Sequence, residues 1–244
     1  MTTINFRGVD VPVTAASPPD IDVALNTDLF KNWLNSLDPS FELKSIEIQS
    51  VDRFGKSRIG FVKLKSEIIR NGARIPGIVL LRGPAVSLLL DIVDEETNEH
   101  WSVLTQQPRV PLGGLMLEIP AGMADGDGNL CGVALKELEE ECGLRAPKEE
   151  LIDLVKLTYG DKYQGIYTSG GLLDENIKLF LWKTHMPHAQ LQALEGKLGG
   201  DSPSEQIVLK LVPLKDIWKY APDCKTLCSL QLYSNLKAEG KIPE

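Results

Sequence analysis

Four glutamates within five positions are the residues of this chain best suited to chemistry: Glu137, Glu139, Glu140 and Glu141. They close a stretch that predicts a helix, for which Asn129 is a suitable N-cap. Glu137 repels Glu140 and Glu141, because residues three or four apart share one helix face. All four glutamates lie near the negative end of the helix dipole, where cations are preferred. A bound divalent cation would reverse both unfavourable effects.

The ligand type indicates which cation would bind. Carboxylate oxygens suit hard ions such as Mg²⁺, which keeps several waters and readily bridges to phosphate. The alternative is a solvated acidic face, partly neutralised by Lys136 and Arg145. Charge alone favours that simpler interpretation, so the spacing of the residues has to decide.

Periodicity supports the helix independently of charge. Leu130, Ala134, Leu138 and Cys142 recur every four residues and predict a buried face. Gly143 is a suitable C-terminal stop.

The spacing of this stretch resembles the Nudix box. Gly122 opens it and the run from Lys136 to Leu144 closes it, with the intervals intact. Two positions depart from the pattern, because Gly128 stands where the first Glu belongs and Lys136 replaces an Arg. Lysine keeps the charge but lacks the planar fork that holds two carboxylates at once. The departure therefore affects the fine positioning of the glutamates.

The flanking segments narrow the resemblance. Residues 105–111, 117–122 and 169–175 resemble the ADP-ribose and ADP-sugar diphosphatase branch of the Nudix hydrolases, and residues 77–86 with the preceding sheet resemble plant-type ADP-sugar diphosphatases. The resemblance extends over roughly residues 27 to 236 and is most specific in the box and its flanks.

The resemblance implies a role for each matching residue. Glu137 and Glu141, with Glu140 and the carbonyl oxygen of Ala121, would hold divalent ions, Mg²⁺ or Mn²⁺ in its place. Glu175 would orient or deprotonate the attacking water, which makes it catalytic together with the three box glutamates.

Three further residues are expected to contact substrate: Arg109, Glu118 and Asp174. Leu172 and Leu173 lengthen the loop by one residue, so Asp174 could also stand in for Glu175 as the base. Arg109 would contact phosphate or the distal sugar, with a surface salt bridge as the alternative. Glu118 either binds substrate or braces the box loop, and the sequence leaves both open.

Composition limits the classes of protein to which this chain can belong. The chain has 244 residues, 43% hydrophobic and 25% charged, which is ordinary for a globular protein. Its net charge of -8 argues against a broad nucleic-acid or membrane surface. The four cysteines lack metal-ligand spacing and are expected to be reduced, most of them buried. Without a recognisable targeting segment the expected location is the cytoplasm, or an organelle if such a segment was removed.

The order of elements predicts an α/β (mixed α+β) protein of two domains. Residues 1–75 are expected to be loose at first, then a helix near Asp28 to Leu37 and a small antiparallel sheet. Residues 76–244 are expected to form the Nudix-type α/β/α sandwich around a mixed sheet. Residues 78–81 and 85–93 would be central strands of that sheet, and residues 151–158 another strand.

The predicted function is Mg²⁺-dependent hydrolysis of an ADP-sugar, ADP-ribose or ADP-glucose, to AMP and a sugar 1-phosphate. The alternatives are a UDP-sugar diphosphatase, a nucleotide-sugar binding protein with impaired catalysis, and a plain interaction domain. The resemblance also implies a homodimer formed through the N-terminal sheet.

Overall fold

The structure, a computed structural model, describes residues 2–55, 58–124, 129–200 and 205–242. The chain divides into two compact units, Met1–Gly83 with Tyr167–Glu175, and Pro84–Ile166 with Asn176–Glu244. The sequence placed its domain boundary at 75/76, whereas the first unit continues to residue 83 and includes a segment from later in the chain.

The first unit is a sheet with two helices. Its elements are β1 (Thr2–Phe6), β2 (Val9–Ala15), α1 (Pro19–Asn26), α2 (Asp28–Ser36), β3 (Glu42–Phe54), β4 (Arg58–Arg70), β5 (Ala73–Ile75) and β6 (Ile78–Leu81). The strand order is β1-β2-β3-β4-β5, and β6 also pairs with β4. The β2 and β3 strands run parallel, and the other pairs are antiparallel.

Two predictions for this unit were wrong. The first twenty residues are not loose, because β1 and β2 form a hairpin and Val11 and Val13 on alternate positions of β2 are buried. Strand β6 pairs with β4 and not with the central sheet of the second unit. The predicted helix is confirmed as α2, with the Thr27 hydroxyl accepting the Phe30 N–H at 3.1 Å as its N-cap.

The second unit is built on a nine-stranded sheet. Its elements are β7 (Ala85–Asp94), β8 (His100–Arg109), β9 (Gly114–Glu118), β10 (Ala121–Met123), α3 (Leu130–Glu137), β11 (Ile152–Asp153), α4 (Leu154–Tyr159), β12 (Ile166–Tyr167), β13 (Asn176–Met186), α5 (His188–Gln192), β14 (Leu198–Gly199), β15 (Ile207–Pro213), α6 (Ile217–Tyr220) and α7 (Cys224–Ala238). A π-helical turn, Leu138–Cys142, follows α3. The order is β11-β13-β7-β8-β15-β14, with β10 on β7, β9 on β8 and β12 on β13.

Helices cover both faces of this sheet, which confirms the predicted mixed α/β/α sandwich. Strands β7 and β13 pair in parallel, whereas β7 and β8 are antiparallel. On β7, Leu88 and Leu90 pack in one core with residues of α3, and Leu89 packs in a second core with residues of α4 and α7. The near-continuous apolar run of β7 follows from burial on both faces.

The strand predicted at residues 151–158 was mostly wrong. Only Ile152 and Asp153 pair with β13, and α4 begins directly after them. The Asp153 carboxylate accepts the Lys156 N–H at 2.8 Å, which is an N-cap, and Leu154 and Val155 are fully buried. An apolar run this short fits either a strand or a helix, so the cap decided between them.

All four cysteines are free thiols. Only Cys142 is buried and Cys224 is exposed, so the expectation that most would be buried was wrong. Over the ranges that the structure describes, none of the helices combines the length and the apolar character that crossing a membrane requires.

Candidate active site

The box helix forms as its sequence predicts, except for its last turn. Asn129 caps it by accepting the Gly132 N–H at 3.1 Å, and Ala134, Leu138 and Cys142 are buried. After Glu137 the backbone becomes π-helical, and it stops at Gly143, whose φ of 67° is left-handed. Single π-turns inside helices are frequent at functional sites, and this one carries three of the four glutamates.

Two of the four glutamates point toward cations on the helix surface. Glu139 pairs with Arg145, whose Nε lies 2.8 Å from Oε1, and Glu140 pairs with Lys136 at 3.1 Å. The expected neutralisation by Lys136 and Arg145 is therefore present. The structure places Glu140 beside Lys136, and its role as a metal ligand stays a prediction.

The other two glutamates, Glu137 and Glu141, form the inner pair of the box. Glu141 is 5% exposed, and its Oε2 accepts the Ala121 N–H at 3.1 Å. Burial, followed by the charge of Glu137, raises the pKa of Glu141 to about 8. The half-buried Glu137 carboxylate repels the buried one of Glu141, and a cation would stabilise both charges.

Two glycines allow the chain to approach this inner pair. A Cβ on Gly122 would lie 1.8 Å from Glu137 Oε1, and a Cβ on Gly199 would lie 1.8 Å from the Glu141 carbonyl oxygen. The Gly200 N–H also donates to the Glu140 carbonyl at 3.0 Å. Gly122 was singled out from the sequence as the start of the box. The role of Gly199, which the sequence does not single out, depends on how β14 packs on the π-turn.

Arg109 and Glu118 are brought together in the same unit. Arg109 Nε donates to Glu118 Oε1, and Lys225 Nζ lies 2.5 Å from Glu118 Oε2. Burial alone would raise the pKa of Glu118, but the Arg109 hydrogen bond and the Lys225 charge outweigh it and lower that pKa. Both carboxylate oxygens contact cations of the chain itself, which favours the bracing role for Glu118. A substrate contact for Glu118 stays a prediction.

The brace continues into the last helix, which the sequence did not connect with the site. Asp223 caps α7, and its Oδ1 lies 2.9 Å from Lys225 Nζ. The Thr226 hydroxyl donates to Asp223 and accepts the buried Ile119 N–H at 3.3 Å. Asp223 followed by Thr226 can be recognised in the sequence as the start of a helix. Nothing local in the sequence shows that Lys225, in its first turn, meets Glu118, which lies 107 positions earlier.

The candidate loop residues belong to the first unit. Asp174 Oδ1 accepts the backbone N–H groups of Arg82 and Gly83 at 2.7 and 3.1 Å. Glu175 is 7% exposed and accepts the Thr168 hydroxyl at 2.9 Å. Arg82 Nε lies 2.8 Å from Glu175 Oε1 as an ion pair that is not aligned as a hydrogen bond. Asp174 is thus engaged in holding the loop backbone, and Glu175 remains the stronger candidate for the base.

The box departs from the family pattern at Gly128 and at Lys136. Gly128 lies outside the described residues. Lys136 forms an ion pair with Glu140 at 3.1 Å, through an ammonium that lacks the planar fork of arginine.

The donor set of the inner pair fits Mg²⁺ in a restricted sense. Within residues 2–55, 58–124, 129–200 and 205–242, no three His, Cys, Asp or Glu side chains converge on a metal position. Mg²⁺ commonly takes one or two carboxylates and completes its shell with water and substrate phosphate. Glu137 and Glu141 are enough for that minimum, and the Ala121 carbonyl as a further ligand stays a prediction.

Comparison with known proteins identifies the family. The NUDIX domain matches residues 81–229. Nudix hydrolase 14, chloroplastic, of Arabidopsis thaliana is 39% identical over 238 residues, covering 93% of this chain and 76% of that protein. ADP-ribose pyrophosphatase of Bacillus subtilis (strain 168) is 34% identical over 146 residues, 58% of this chain and 69% of that protein.

The fold comparison agrees with the sequence comparison. A crystal structure of an ADP compounds hydrolase superposes with a TM-score of 0.58 at 16% identity, over 85% of this chain and 99% of the other. Identity at that level speaks for the fold alone. With the domain match, the relatives and the inner glutamate pair together, this chain belongs to the Nudix hydrolases and is an enzyme of that family.

Proposed function

We propose that this enzyme hydrolyses the diphosphate bond of ADP-sugars in the presence of Mg²⁺, with ADP-ribose and ADP-glucose as substrates. The products would be AMP and the sugar phosphate, ribose 5-phosphate from ADP-ribose and glucose 1-phosphate from ADP-glucose. The observation that carries the proposal is the pair of half-buried Glu137 and buried Glu141, with Glu141 beside Ala121. The relative from Bacillus subtilis, which is named an ADP-ribose pyrophosphatase, supports the choice of substrate.

The chemistry assigned to each residue follows from its environment. A divalent ion bound at Glu137 and Glu141 would neutralise the diphosphate and acidify a bound water. Arg109, held by Glu118, would bind a phosphate oxygen through its remaining N–H groups. Glu175, as the predicted base, would take the proton from the attacking water. Glu140 and Asp174 are kept as a further metal ligand and a substrate contact, respectively, each to be tested by its amide variant.

The decisive experiment measures AMP release from ADP-ribose and ADP-glucose, with Mg²⁺ and with EDTA, and uses UDP-glucose as the comparison substrate. Metal-dependent AMP release is expected, and the ratio of the two rates ranks the sugars. Faster turnover of UDP-glucose would assign the enzyme to UDP-sugars instead. Absence of turnover with all three substrates, in protein with a cooperative thermal transition, would contradict the proposal.

That last outcome would favour a nucleotide-sugar binding protein with impaired catalysis. The observation that supports this alternative is Lys136, which pairs with Glu140 but lacks the planar arginine fork that can hold two carboxylates. Isothermal titration with ADP-ribose would then show binding without turnover.

Assembly and location are part of the same proposal. We expect a homodimer formed through the sheet of the first unit, which sedimentation at micromolar concentration would test against a monomeric mass. We place the enzyme in the cytoplasm or in an organelle, where its free thiols stay reduced.

A further inference from the structure

Lys225 is a largely covered cation to which the proposed chemistry assigns no role. It is the second residue of α7, and its side chain is 15% exposed. Its ammonium lies 2.5 Å from Glu118 Oε2 and 2.9 Å from Asp223 Oδ1. Burial opposes the charged form, but Asp223 and Glu118 outweigh it and raise the pKa of Lys225. The ammonium is thus a fixed positive charge between two buried carboxylates.

The position of Lys225 determines how Glu118 can hold Arg109. Arg109 donates to Glu118 Oε1 through Nε, the guanidinium nitrogen that is attached to the aliphatic part of the side chain. Arginine prefers to hold a carboxylate with two parallel hydrogen bonds when both oxygens are accessible. Because Lys225 holds Oε2, it competes with the Arg109 fork for the second oxygen of Glu118.

The same network lies within electrostatic reach of Glu141, one of the inner glutamate pair. Burial opposes the charge of Arg109, but Glu118 outweighs it and raises the pKa of the guanidinium, and the charge of Glu141 contributes in the same direction. Arg109 is therefore within electrostatic reach of the site where the diphosphate would bind.

We infer that Lys225 is a positioning residue that holds Glu118 Oε2 so that the outer nitrogens of Arg109 stay directed to the substrate diphosphate. Without Lys225, Glu118 would take Arg109 in a two-oxygen fork and withdraw it from substrate. This inference rests on the proposed function, since it assigns Arg109 to a diphosphate. A purely structural Lys225 would instead affect stability and leave substrate binding unchanged.

The test compares Lys225→Met with Lys225→Arg, which keeps the charge, and with Lys241→Met. Lys241 pairs with Glu239 near the end of the chain, so its variant removes one lysine without touching Glu118. Two quantities are measured with Mg²⁺ present: steady-state turnover of ADP-ribose, and the Kd of a methylene-bridged ADP-ribose analogue by calorimetry. Thermal unfolding is recorded for every variant.

The expected result is a separation of KM from kcat. Lys225→Met should raise KM and the analogue Kd about tenfold or more, the loss of one charge-assisted hydrogen bond, with kcat within about twofold. Lys225→Arg should recover most of the affinity, and Lys241→Met should match the wild type. In an Arg109→Ala background, Lys225→Met should cause no further loss, because both changes remove one interaction.

Three results would overturn the inference. The first is a lowered Tm with unchanged KM and Kd. The second is an equal loss of affinity in Lys241→Met. The third is full additivity with Arg109→Ala. If Lys225→Met does not fold, the double variant Asp223→Asn/Lys225→Met replaces it, because Asn neutralises the abandoned carboxylate and still caps the helix.

The two proposals fail separately. If the wild type binds the analogue but does not hydrolyse ADP-ribose, the proposed function fails and the Kd comparison still decides the role of Lys225. If turnover is present but the variants do not follow the expected pattern, only the inference about Lys225 fails. Wild-type protein that neither binds nor hydrolyses would overturn both.

Discussion

Glu141 and Glu118 are both almost fully buried in the second unit, yet their neighbours shift their pKa values in opposite directions. Glu141 is 5% exposed and lies beside another carboxylate, Glu137, and its pKa is raised to about 8. Glu118 is 2% exposed and lies between Arg109 and Lys225, and its pKa is lowered. Burial disfavours charge in both cases, so the sign of each shift is decided by the partners.

The comparison separates two uses of a buried carboxylate. Glu118 is satisfied by the chain itself and can hold the backbone that precedes the box. Glu141 accepts one backbone N–H from Ala121 and faces a like charge, so a bound cation would stabilise its charged form further. The stable carboxylate supports the structure, and the unstable one is suited to function.

The largest expected effect comes from Glu141→Gln, which removes the inner charge and keeps the shape. Turnover with Mg²⁺ should fall about a thousandfold or more, comparable to removing other preorganised electrostatic groups. Measured by AMP release from ADP-ribose, near-normal turnover would defeat the assignment of the metal site. The matched control is Glu139→Gln in the same turn, whose exposed ion pair with Arg145 should matter little.

Glu118→Gln should produce the opposite pattern, a large loss of stability. Removing one partner of a buried ion pair leaves Arg109 and Lys225 less compensated, and the free energy of unfolding should fall by about 3 kcal/mol. Urea denaturation at pH 7 without metal measures this change. A Glu118→Gln variant as stable as the wild type would show that Glu118 does not brace the box.

The pH dependence of stability should distinguish the two glutamates in metal-free protein. Because the pKa of Glu141 is raised from 4.5 to about 8, the folded protein binds more protons than the unfolded chain in that window. Its contribution to stability is therefore lost as the pH rises toward 8. The lowered pKa of Glu118 acts in the other direction, because its contribution is present above its unfolded pKa and is lost in acid.

Thermal unfolding from pH 4 to 9 in EDTA measures both contributions. Glu141→Gln should remove the decrease in Tm toward pH 8, and Mg²⁺ should reduce that decrease in the wild type. An unchanged pH profile in Glu141→Gln would show that the pKa of Glu141 is not raised by its burial and by Glu137.

The smallest expected effect comes from Thr226→Val, which keeps the shape of the side chain but removes the hydroxyl that joins α7 to Ile119. The buried Ile119 N–H would lose its acceptor, so stability should fall by about 1–2 kcal/mol. Chemical denaturation with Thr226→Ser as the control measures it, since serine keeps the hydroxyl. A Thr226→Val variant as stable as the wild type would show that the hydroxyl does not hold α7 to Ile119.

Much of the fold could be predicted from the sequence because local signals agreed with the tertiary environment. The box helix has its cap at Asn129, its apolar face and its stop at Gly143 within one stretch of sequence. The strand at Ala85–Asp94 is mostly apolar because it is buried on both faces. Where the signal was short or mixed, as at residues 1–20 and 151–158, alternation and capping were missed.

The sequence by itself determined which residues could hold a cation, because the spacing of Gly122 and the glutamates is a local property of one segment. Tertiary structure alone decided which glutamates turn inward, since that depends on the π-turn and on the packing of Gly199 against it. It also decided that Lys225 and Thr226, more than a hundred residues later, complete the brace of Glu118 and Ile119. Contacts between distant segments carry no local pattern, because they arise only when burial brings complementary charges and hydrogen-bonding groups together.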